Sequence, residues 1–443
     1  MNPSPAPSAG PSSASRPFPP AALAWLIWGF AAIFYLGVFF LRAAPAVMTS
    51  ELMRDFHIGG AALGNLSAFY FYSYVAMQIP VGVLTNSMGA RKLLTLGAFL
   101  AALGTFLFGI TDSFAIACLG RAILGGSTAV ALLVALRLAA HWFPAKNFGM
   151  MSGIALFFGN MGAVFAQVPL RVAIENFTWR ETVLGSAGIV FLLGILAWLL
   201  VRDDPSEKGY QSYAPPSLQG RQKTTLAGAF RSMGSVFSYK NTWLIMLAQG
   251  GLAGSILTYT GLWGAPFLRA RYGLTPREAA SIATVMLVAF AVGCPVFGAL
   301  SDKLGKRKPA YLAGALVTAL GWLSMFYIDG ISVSTFTLLA GVTGFATGAF
   351  IIGFPFGRES APGQYMGTMT GTVNMGNMLG VVFLQPGIGW MLDRYWDGQL
   401  VNGAHVYSLA AYHVGFMLLA GWAVLSVILI AMTRETYCKP LAG

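Results

Sequence analysis

Twelve runs of predominantly apolar residues, separated by short polar segments, dominate this sequence. Each run has about the 20 residues that an α-helix needs to cross the hydrocarbon core of a bilayer. The composition agrees, because 56% of the residues are hydrophobic and only 9% are charged, against roughly 25% charged in soluble domains. The sequence therefore predicts an all-α membrane protein with twelve transmembrane helices, near residues 21–45, 61–83, 92–110, 115–139, 148–170, 182–201, 242–266, 279–300, 309–328, 333–356, 366–392 and 407–432.

The basic residues set the orientation of these helices. If the amino terminus is cytoplasmic, the inner segments hold 17 of the 27 Lys and Arg residues, including every lysine, and the outer loops hold seven. Cytoplasmic loops are enriched in Lys and Arg, so we expect both termini to lie inside. The same distribution accounts for the net charge of +12. It disfavours nucleic acid as a partner, because no basic face is clustered.

Polar segments divide the chain into five parts. Residues 1–20 are rich in Pro, Ser and Ala and are expected to be a disordered cytoplasmic tail. The long polar stretch at 202–241 is the predicted cytoplasmic linker between two six-helix bundles, at 21–201 and 242–432. Residues 433–443 are expected to form a second short cytoplasmic tail.

Two internal repeats relate the two bundles. Residues 82–92 (GVLTNSMGARK) correspond to residues 298–308 (GALSDKLGKRK) at an offset of 216 positions. Residues 159–169 (GNMGAVFAQVP) correspond to residues 376–386 (GNMLGVVFLQP) at an offset of 217 to 218. Two matches at nearly one offset indicate parallel duplicated halves. Such repeats place a binding site near the membrane midplane, where the halves face each other.

The repeated loop resembles the signature GxLxDxxGxRK of the Major Facilitator Superfamily, which recurs there between helices two and three and between eight and nine. In that family the loop is a cytoplasmic latch that holds the outward-open state. The first copy here has Asn86 where the family usually has Asp, so the resemblance implies a weaker latch in the first half. Residues 119–126 resemble the family's fourth-helix arginine motif, which assigns Arg121 to the framework. The gating residues implied are Gly82, Asn86, Gly89, Arg91, Arg121, Gly298, Asp302, Gly305 and Arg307.

A finer resemblance concerns the first two helices. The first, with Tyr35 and Arg42 before Pro45, is similar to organic-anion and organophosphate transporters. The run at 68–80 is similar to proteobacterial members, including carriers that take up amino acids in intracellular pathogens. These resemblances imply a multi-pass protein of the bacterial cytoplasmic (inner) membrane.

Polar residues inside the predicted helices are the candidate substrate ligands, because burying them in a bilayer is costly. Two interpretations stay open for most of them. Arg42 is either a snorkelling side chain or an anchor for a carboxylate or phosphate; Arg137 is either a cavity cation or an interfacial anchor. The polar stripes on helices 2, 5, 7 and 11 either bond the helices together or line the path. The candidates are Tyr35, Arg42, Tyr70, Tyr74, Gln78, Arg137, Asn160, Gln249, Tyr259, Trp263, Asn374 and Asn377.

The motifs of other functional classes are missing. The sequence has no nucleotide-binding P-loop, no HExxH and no GxSxG, so we expect neither an enzyme nor a bound cofactor or metal. No acidic residue falls in the middle of a predicted helix, so proton coupling would need a helix-end group such as Glu359 or Asp393, the substrate itself or an exchange partner.

The sequence thus predicts a monomeric secondary carrier of the symporter type for a small carboxylate-bearing solute such as an amino acid or organic acid. The alternatives are an organophosphate or sugar-acid carrier, an exporter of amphipathic compounds, and a transporter-like solute sensor. Its expected partners are the solute, a co-transported ion and the lipid bilayer.

Overall fold

The computed structural model describes residues 17–214 and 226–439. It places six long helical spans in each half of the chain. Spans 1 to 6 are Ala21–Ala43, Gly60–Met88, Ala90–Ile110, Phe114–Thr128 with Ala131–Trp142, Phe148–Phe165 and Trp179–Leu200. Spans 7 to 12 are Lys240–Thr258 with Tyr259–Trp263 and Gly264–Tyr272, Pro276–Leu304, Lys308–Tyr327, Val333–Thr347 with Gly348–Ile352 and Gly353–Glu359, Met366–Arg394 and Leu409–Ala431.

Shorter elements connect these spans. On the outer side they are Ala44–Val47, Thr49–Phe56, Val168–Asn176 and a two-stranded hairpin, Leu400–Val401 with Ala404–His405. On the inner side they are Ala145–Asn147, Pro205–Lys208, Leu226–Val236 and Gly363–Tyr365. The predicted linker at 202–241 therefore contains an eleven-residue helix, Leu226–Val236, which packs against spans 2 and 11. Residues 1–16 of the predicted tail lie outside the described residues.

Ten of the spans are long and apolar enough to cross a membrane by themselves. The other two, spans 2 and 7, are equally long but more polar. Span 2 carries several tyrosines and Gln78, and span 7 carries Gln249, Ser255 and Thr258. Polar side chains in a membrane helix face protein or water rather than lipid, so these two spans are the ones expected beside a path through the protein. The twelve-span architecture predicted from the sequence is confirmed.

Three spans change their helical geometry in mid-membrane. Span 4 is interrupted after Thr128, span 7 continues through one π-helical turn, Tyr259–Trp263, and span 10 passes through a 3₁₀ segment, Gly348–Ile352. Spans 4 and 10 are the fourth spans of their halves, so the duplication extends to their shape. π-turns inside α-helices often mark functional sites.

The two halves meet most closely along spans 2 and 11. Near the outer end a Cβ atom on Gly389 would lie 2.1 Å from the carbonyl oxygen of Gly60, and one on Gly64 would lie 2.5 Å from the carbonyl oxygen of Gln385. Only glycine permits backbones to approach this closely in a membrane. The outer side of the protein is therefore closed.

Candidate functional site

A small cavity lies between the two halves, slightly outward from the middle of the spans. Both halves contribute to its wall, and the π-turn of span 7 forms part of it. Its lining residues are Arg42, Ala43, Phe71, Ala163, Gln167, Leu257, Thr260, Gly261, Leu287 and Gln385.

Arg42 is the cation of this cavity. It lies at the outer end of span 1, yet only 7% of it is exposed. Side chains in a helix point back toward its amino terminus, and the guanidinium accordingly lies over the Phe39 ring, 3.8 Å from the ring centroid. Within the described ranges, it has no carboxylate and no hydrogen-bond acceptor as a partner. Arg42 therefore does not snorkel to the outer surface; it is an unpaired cation that faces the cavity.

Two glutamines face Arg42 across the cavity, one from each half. Gln167 follows span 5, and its Nε2 donates to the Thr260 carbonyl at 3.2 Å, which ties the halves together at the π-turn. Gln385 on span 11 is completely buried, and neither its amide nitrogen nor its amide oxygen has a partner. The indole of Trp263 donates to the backbone carbonyl of Gln385 at 3.0 Å.

Arg121 holds the end of span 1 in place. It is fully buried on span 4, and its Nη1 and Nη2 donate to the carbonyls of Leu41 and Arg42 at 3.0 and 3.3 Å. Its guanidinium also lies 5.3 Å from the Tyr70 ring centroid. Arg121 thus fixes the backbone from which the Arg42 side chain extends.

The predicted tyrosines of span 2 occupy different surroundings. Tyr70 is buried against span 4, where its hydroxyl accepts from Thr128 Oγ1 at 2.9 Å. Tyr74 stacks on Tyr70 with centroids 6.0 Å apart and is partly exposed. Tyr35 packs between spans 1 and 5, since a Cβ on Gly159 would lie 2.7 Å from its ring.

Five further candidates lie on the inner side of the cavity or beside it. Gln78 and Asn374 bond each other across the halves, with the Asn374 amide nitrogen 3.4 Å from the Gln78 oxygen. Asn377 is buried with an unpaired amide oxygen, whereas its repeat counterpart Asn160 is partly exposed. Arg137 Nη1 donates to the Thr85 carbonyl at 2.7 Å, within the first half.

The remaining candidates pack inside the second half. Gln249 donates to the Phe350 carbonyl at 2.8 Å and so holds the 3₁₀ segment of span 10. The Tyr259 ring lies in an aromatic cluster with Trp322 and Phe416. Trp263 is fully buried and reaches the site through its bond to Gln385.

A carboxylate closes the outer side above the cavity. Asp393, near the outer end of span 11, accepts from the backbone N–H groups of Gly60 at 2.7 Å and Ala61 at 2.8 Å. Tyr407 also donates to this carboxylate. Gly60 and Ala61 begin span 2, so a carboxylate of one half caps a helix of the other. We call these four residues the outer lock.

Among the latch residues whose side chains are described, none bonds to the opposite half. In the first half, Arg91 donates its backbone N–H to Asp203 at 2.6 Å and its Nε to the Trp198 carbonyl at 2.8 Å. Gly89, with a φ of 86°, adopts a conformation that favours glycine, and Gly82 lies on span 2. The side chain of Asn86 lies outside the part of the structure that is described.

The latch of the second half is a network joined by the C-terminal tail. Arg307 pairs with Glu359 at 2.7 Å and contacts Asp302. Glu435 accepts from the backbone N–H groups of Arg307 at 2.9 Å and Lys308 at 2.8 Å. Burial alone would lower the pKa of Arg307, but the hydrogen bonds that its guanidinium donates to the carboxylates of Glu359 and Asp302 outweigh burial and raise that pKa.

The two glycines of this latch complete the correspondence between the halves. Gly305 ends span 8 with a φ of 61°, as Gly89 does after span 2, and Gly298 lies on span 8. The role of the two latches in the outward-open state stays a prediction.

Two glutamines of the cavity and two carboxylates beside the latches were not among the predicted ligands or gating residues. Gln167 and Gln385 occupy corresponding positions, 218 residues apart, in the second repeat. That correspondence was the available signal, because it places one glutamine of each half at the same depth. Asp203 and Glu435 each follow the last span of a half and cap the helix after its latch.

Comparison with known proteins gives two matches to one family model. The sequence model of the Major Facilitator Superfamily matches residues 27–265 and 254–437. A Cupriavidus necator protein named a probable sulfoacetate transporter is 23% identical over 83% of this chain and 87% of its own length. An Escherichia coli protein named a probable galactarate/D-glucarate transporter is 25% identical over 84% of this chain and 87% of its own.

Among solved structures, a bacterial homolog of the human lysosomal transporter Spinster, inward-facing and unoccupied, superposes with a TM-score of 0.74. The match covers 95% of this chain and 97% of that one at 18% identity. At this identity the similarity concerns the fold.

Proposed function

This chain belongs to the Major Facilitator Superfamily and is a secondary transporter of small organic solutes, and on this basis we propose that it carries a small organic anion through a carboxylate bound to Arg42. The unpaired guanidinium in the cavity between the halves is the observation that carries the proposal. A cation buried without a partner is strongly unfavourable. A carboxylate would supply the missing partner and fit the planar guanidinium with two parallel hydrogen bonds.

The charge of the cavity narrows the solute class. Arg42 is the one charged residue among the residues that line the cavity, which suits a single carboxylate at this position. A phosphate ester would bring more negative charge without a second lining cation. The relatives named for sulfoacetate and for galactarate and glucarate support an organic anion as the class of solute. Each of those anions carries two acidic groups, so the argument for a single carboxylate rests on the cavity lining alone.

In an alternating-access cycle, the cavity would open to one side of the membrane at a time. The outer lock and the glycine contacts of spans 2 and 11 close the outer side, so the solute would exchange with the inner side in this state. Rocking of the two halves would then expose Arg42 outward. We place the carrier, as a monomer, in the inner membrane of a bacterium, driven by a co-transported ion or an exchange partner.

The test is uptake and binding by the purified protein and its Arg42→Ala variant. Carboxylates should raise the melting temperature of the unaltered protein, because they bind the native state, and should accumulate in proteoliposomes. Truncating one partner of a buried charge pair costs about 2–5 kcal/mol, so we expect Arg42→Ala to weaken carboxylate binding by at least about 30-fold.

Arg394→Ala is the matched control, because Arg394 is an exposed arginine on the same side of the membrane. It should leave binding unchanged. Carboxylate affinity in Arg42→Ala within twofold of the unaltered protein would overturn the anchoring role. Binding without flux would indicate a sensor instead of a carrier.

A further inference from the structure

The unpaired amide of Gln385 lies in the same cavity as Arg42, and we infer that it selects solutes that carry a hydroxyl group beside the carboxylate. The inference rests on the proposed function, since it assumes that Arg42 holds the carboxylate. It assigns the class of the solute, a hydroxy acid, and the residue that recognises the hydroxyl.

The first observation is the state of the amide itself. Gln385 is completely buried, and neither its Nε2 nor its Oε1 has a hydrogen-bond partner. Buried polar groups in proteins are nearly always bonded, so an amide with both ends unpaired requires an explanation. Because Gln385 lines the cavity, a solute in that cavity would supply the missing partners.

The second observation is that the backbone of Gln385 is held on two sides. Trp263 donates to its carbonyl at 3.0 Å, and Gly64 of span 2 approaches so closely that a Cβ would lie 2.5 Å from the carbonyl oxygen. Beside the amide nitrogen is Gly261 of the π-turn, which has no side chain to fill the space. The fold therefore fixes the backbone that carries the Gln385 side chain and leaves space beside the amide nitrogen.

The other buried glutamines show what is different here. Gln167, its counterpart in the first half, donates to the Thr260 carbonyl. Gln249 donates to the Phe350 carbonyl and has only its oxygen unpaired. Both serve the framework, whereas Gln385 bonds nothing through its side chain in the described part of the chain.

The chemistry of an amide identifies the group that it lacks. Its NH₂ needs an acceptor and its oxygen needs a donor, and a hydroxyl group provides both. An ammonium group only donates and a second carboxylate only accepts, so either would satisfy one end. A hydrocarbon substituent satisfies neither, and a site built to bond a hydroxyl rejects the analogue that lacks it.

Matched pairs of acids test the inference on the unaltered protein. We would titrate 2-hydroxypropanoate against propanoate, and a six-carbon polyhydroxy acid against hexanoate, and follow the melting temperature. We expect at least about a tenfold preference for the hydroxylated member of one pair or both. 2-Aminopropanoate should bind between the hydroxy acid and the plain acid of its pair.

Gln385→Met then removes the amide while keeping the length of the side chain. This variant should bind both members of each pair within about twofold of each other, through a loss of affinity for the hydroxy acid. Gln249→Met is the control, a buried glutamine of the same half outside the cavity lining, and should keep the preference.

The outcomes separate the two proposals. If no carboxylate binds the unaltered protein, the anchoring role of Arg42 fails and this inference fails with it. If carboxylates bind without a preference for hydroxyl groups, or if Gln385→Met keeps the preference, only the role of Gln385 fails. The preference for hydroxy acids is measured on the unaltered protein. The inference therefore stays testable even if Gln385→Met folds poorly.

Discussion

The outer lock offers a direct way to shift the carrier between its states. Asp393 of the second half accepts hydrogen bonds from the first two N–H groups of span 2, at 2.7 and 2.8 Å. These bonds exist only while the outer side is closed, because they join the two halves. Replacing Asp393 by Asn should therefore destabilise the closed state and leave each half intact.

The magnitude follows from the bonds that are lost. Asparagine keeps one oxygen, so one of the two backbone N–H groups loses its carboxylate acceptor and faces an NH₂ group. The Gly60 N–H would keep only its second acceptor, the Tyr407 hydroxyl at 2.7 Å. A hydrogen bond to a charged group contributes about 1.5–3 kcal/mol, and a negative charge at a helix amino terminus contributes about 0.3–1 kcal/mol. The sum, about 2–4 kcal/mol, corresponds to a roughly 30- to 700-fold shift toward the outward-open state at tenfold per 1.4 kcal/mol.

Thiol labelling measures this shift. Ala163 lines the cavity beneath the outer lock, so Ala163→Cys would report on access from outside. The background would lack the three native cysteines, Cys118, Cys294 and Cys438. With a membrane-impermeant reagent added outside, Asp393→Asn should raise the labelling rate at least tenfold.

Asp55→Asn is the control for the loss of an outer carboxylate. Asp55 bonds Arg54 and Trp179, both within the first half, so this variant should not open the outer side. An unchanged labelling rate in folded Asp393→Asn would refute the reasoning. So would an equal rise in Asp55→Asn, because the effect would then come from surface charge.

Two further predictions concern the supports of the site and of the latch. Arg121→Lys replaces a guanidinium that donates to two carbonyls of span 1 by a single ammonium group. We therefore expect about tenfold weaker carboxylate binding in the thermal-shift titration, with membrane insertion preserved. Burial opposes ionisation of Glu435, but the backbone N–H groups that it accepts, two of them at the start of span 9, outweigh burial and lower its pKa. A lowered pKa contributes stability above its ordinary value of 4.5 that is lost as the pH falls below it. Melting temperatures measured from pH 6 to pH 3 should therefore decline less steeply in Glu435→Gln than in the unaltered protein.

The positions of the spans were predictable because length and apolar content decide what crosses a bilayer. The interruptions within the spans were not predictable. The π-turn of span 7 contains no proline, and the break in span 4 falls between Thr128 and Ala131 in an unremarkable sequence. Both depend on how neighbouring spans pack, which local sequence does not encode.

The residues of the candidate site were likewise predictable only in part. Arg42 could be recognised because a cation inside an apolar run has few possible roles. The repeat marks the position of Gln385, but the sequence does not show that its amide is unpaired, since Gln249 is also a glutamine inside a membrane helix. What separates them is whether a neighbouring carbonyl lies within reach, as Phe350 does for Gln249, and only the folded structure decides that.

The lone positive charge of Arg42 also has an electrical consequence. An empty carrier holds this charge within the field of the membrane, whereas a bound carboxylate makes the site neutral. Membrane voltage would then act mainly on the empty protein, with up to about 2.3 kcal/mol per 100 mV for a full elementary charge. An inside-negative potential would favour the inward-facing empty form, so voltage would set the resting orientation of the carrier. A step loaded with the carboxylate alone, without a co-transported ion, would depend little on voltage.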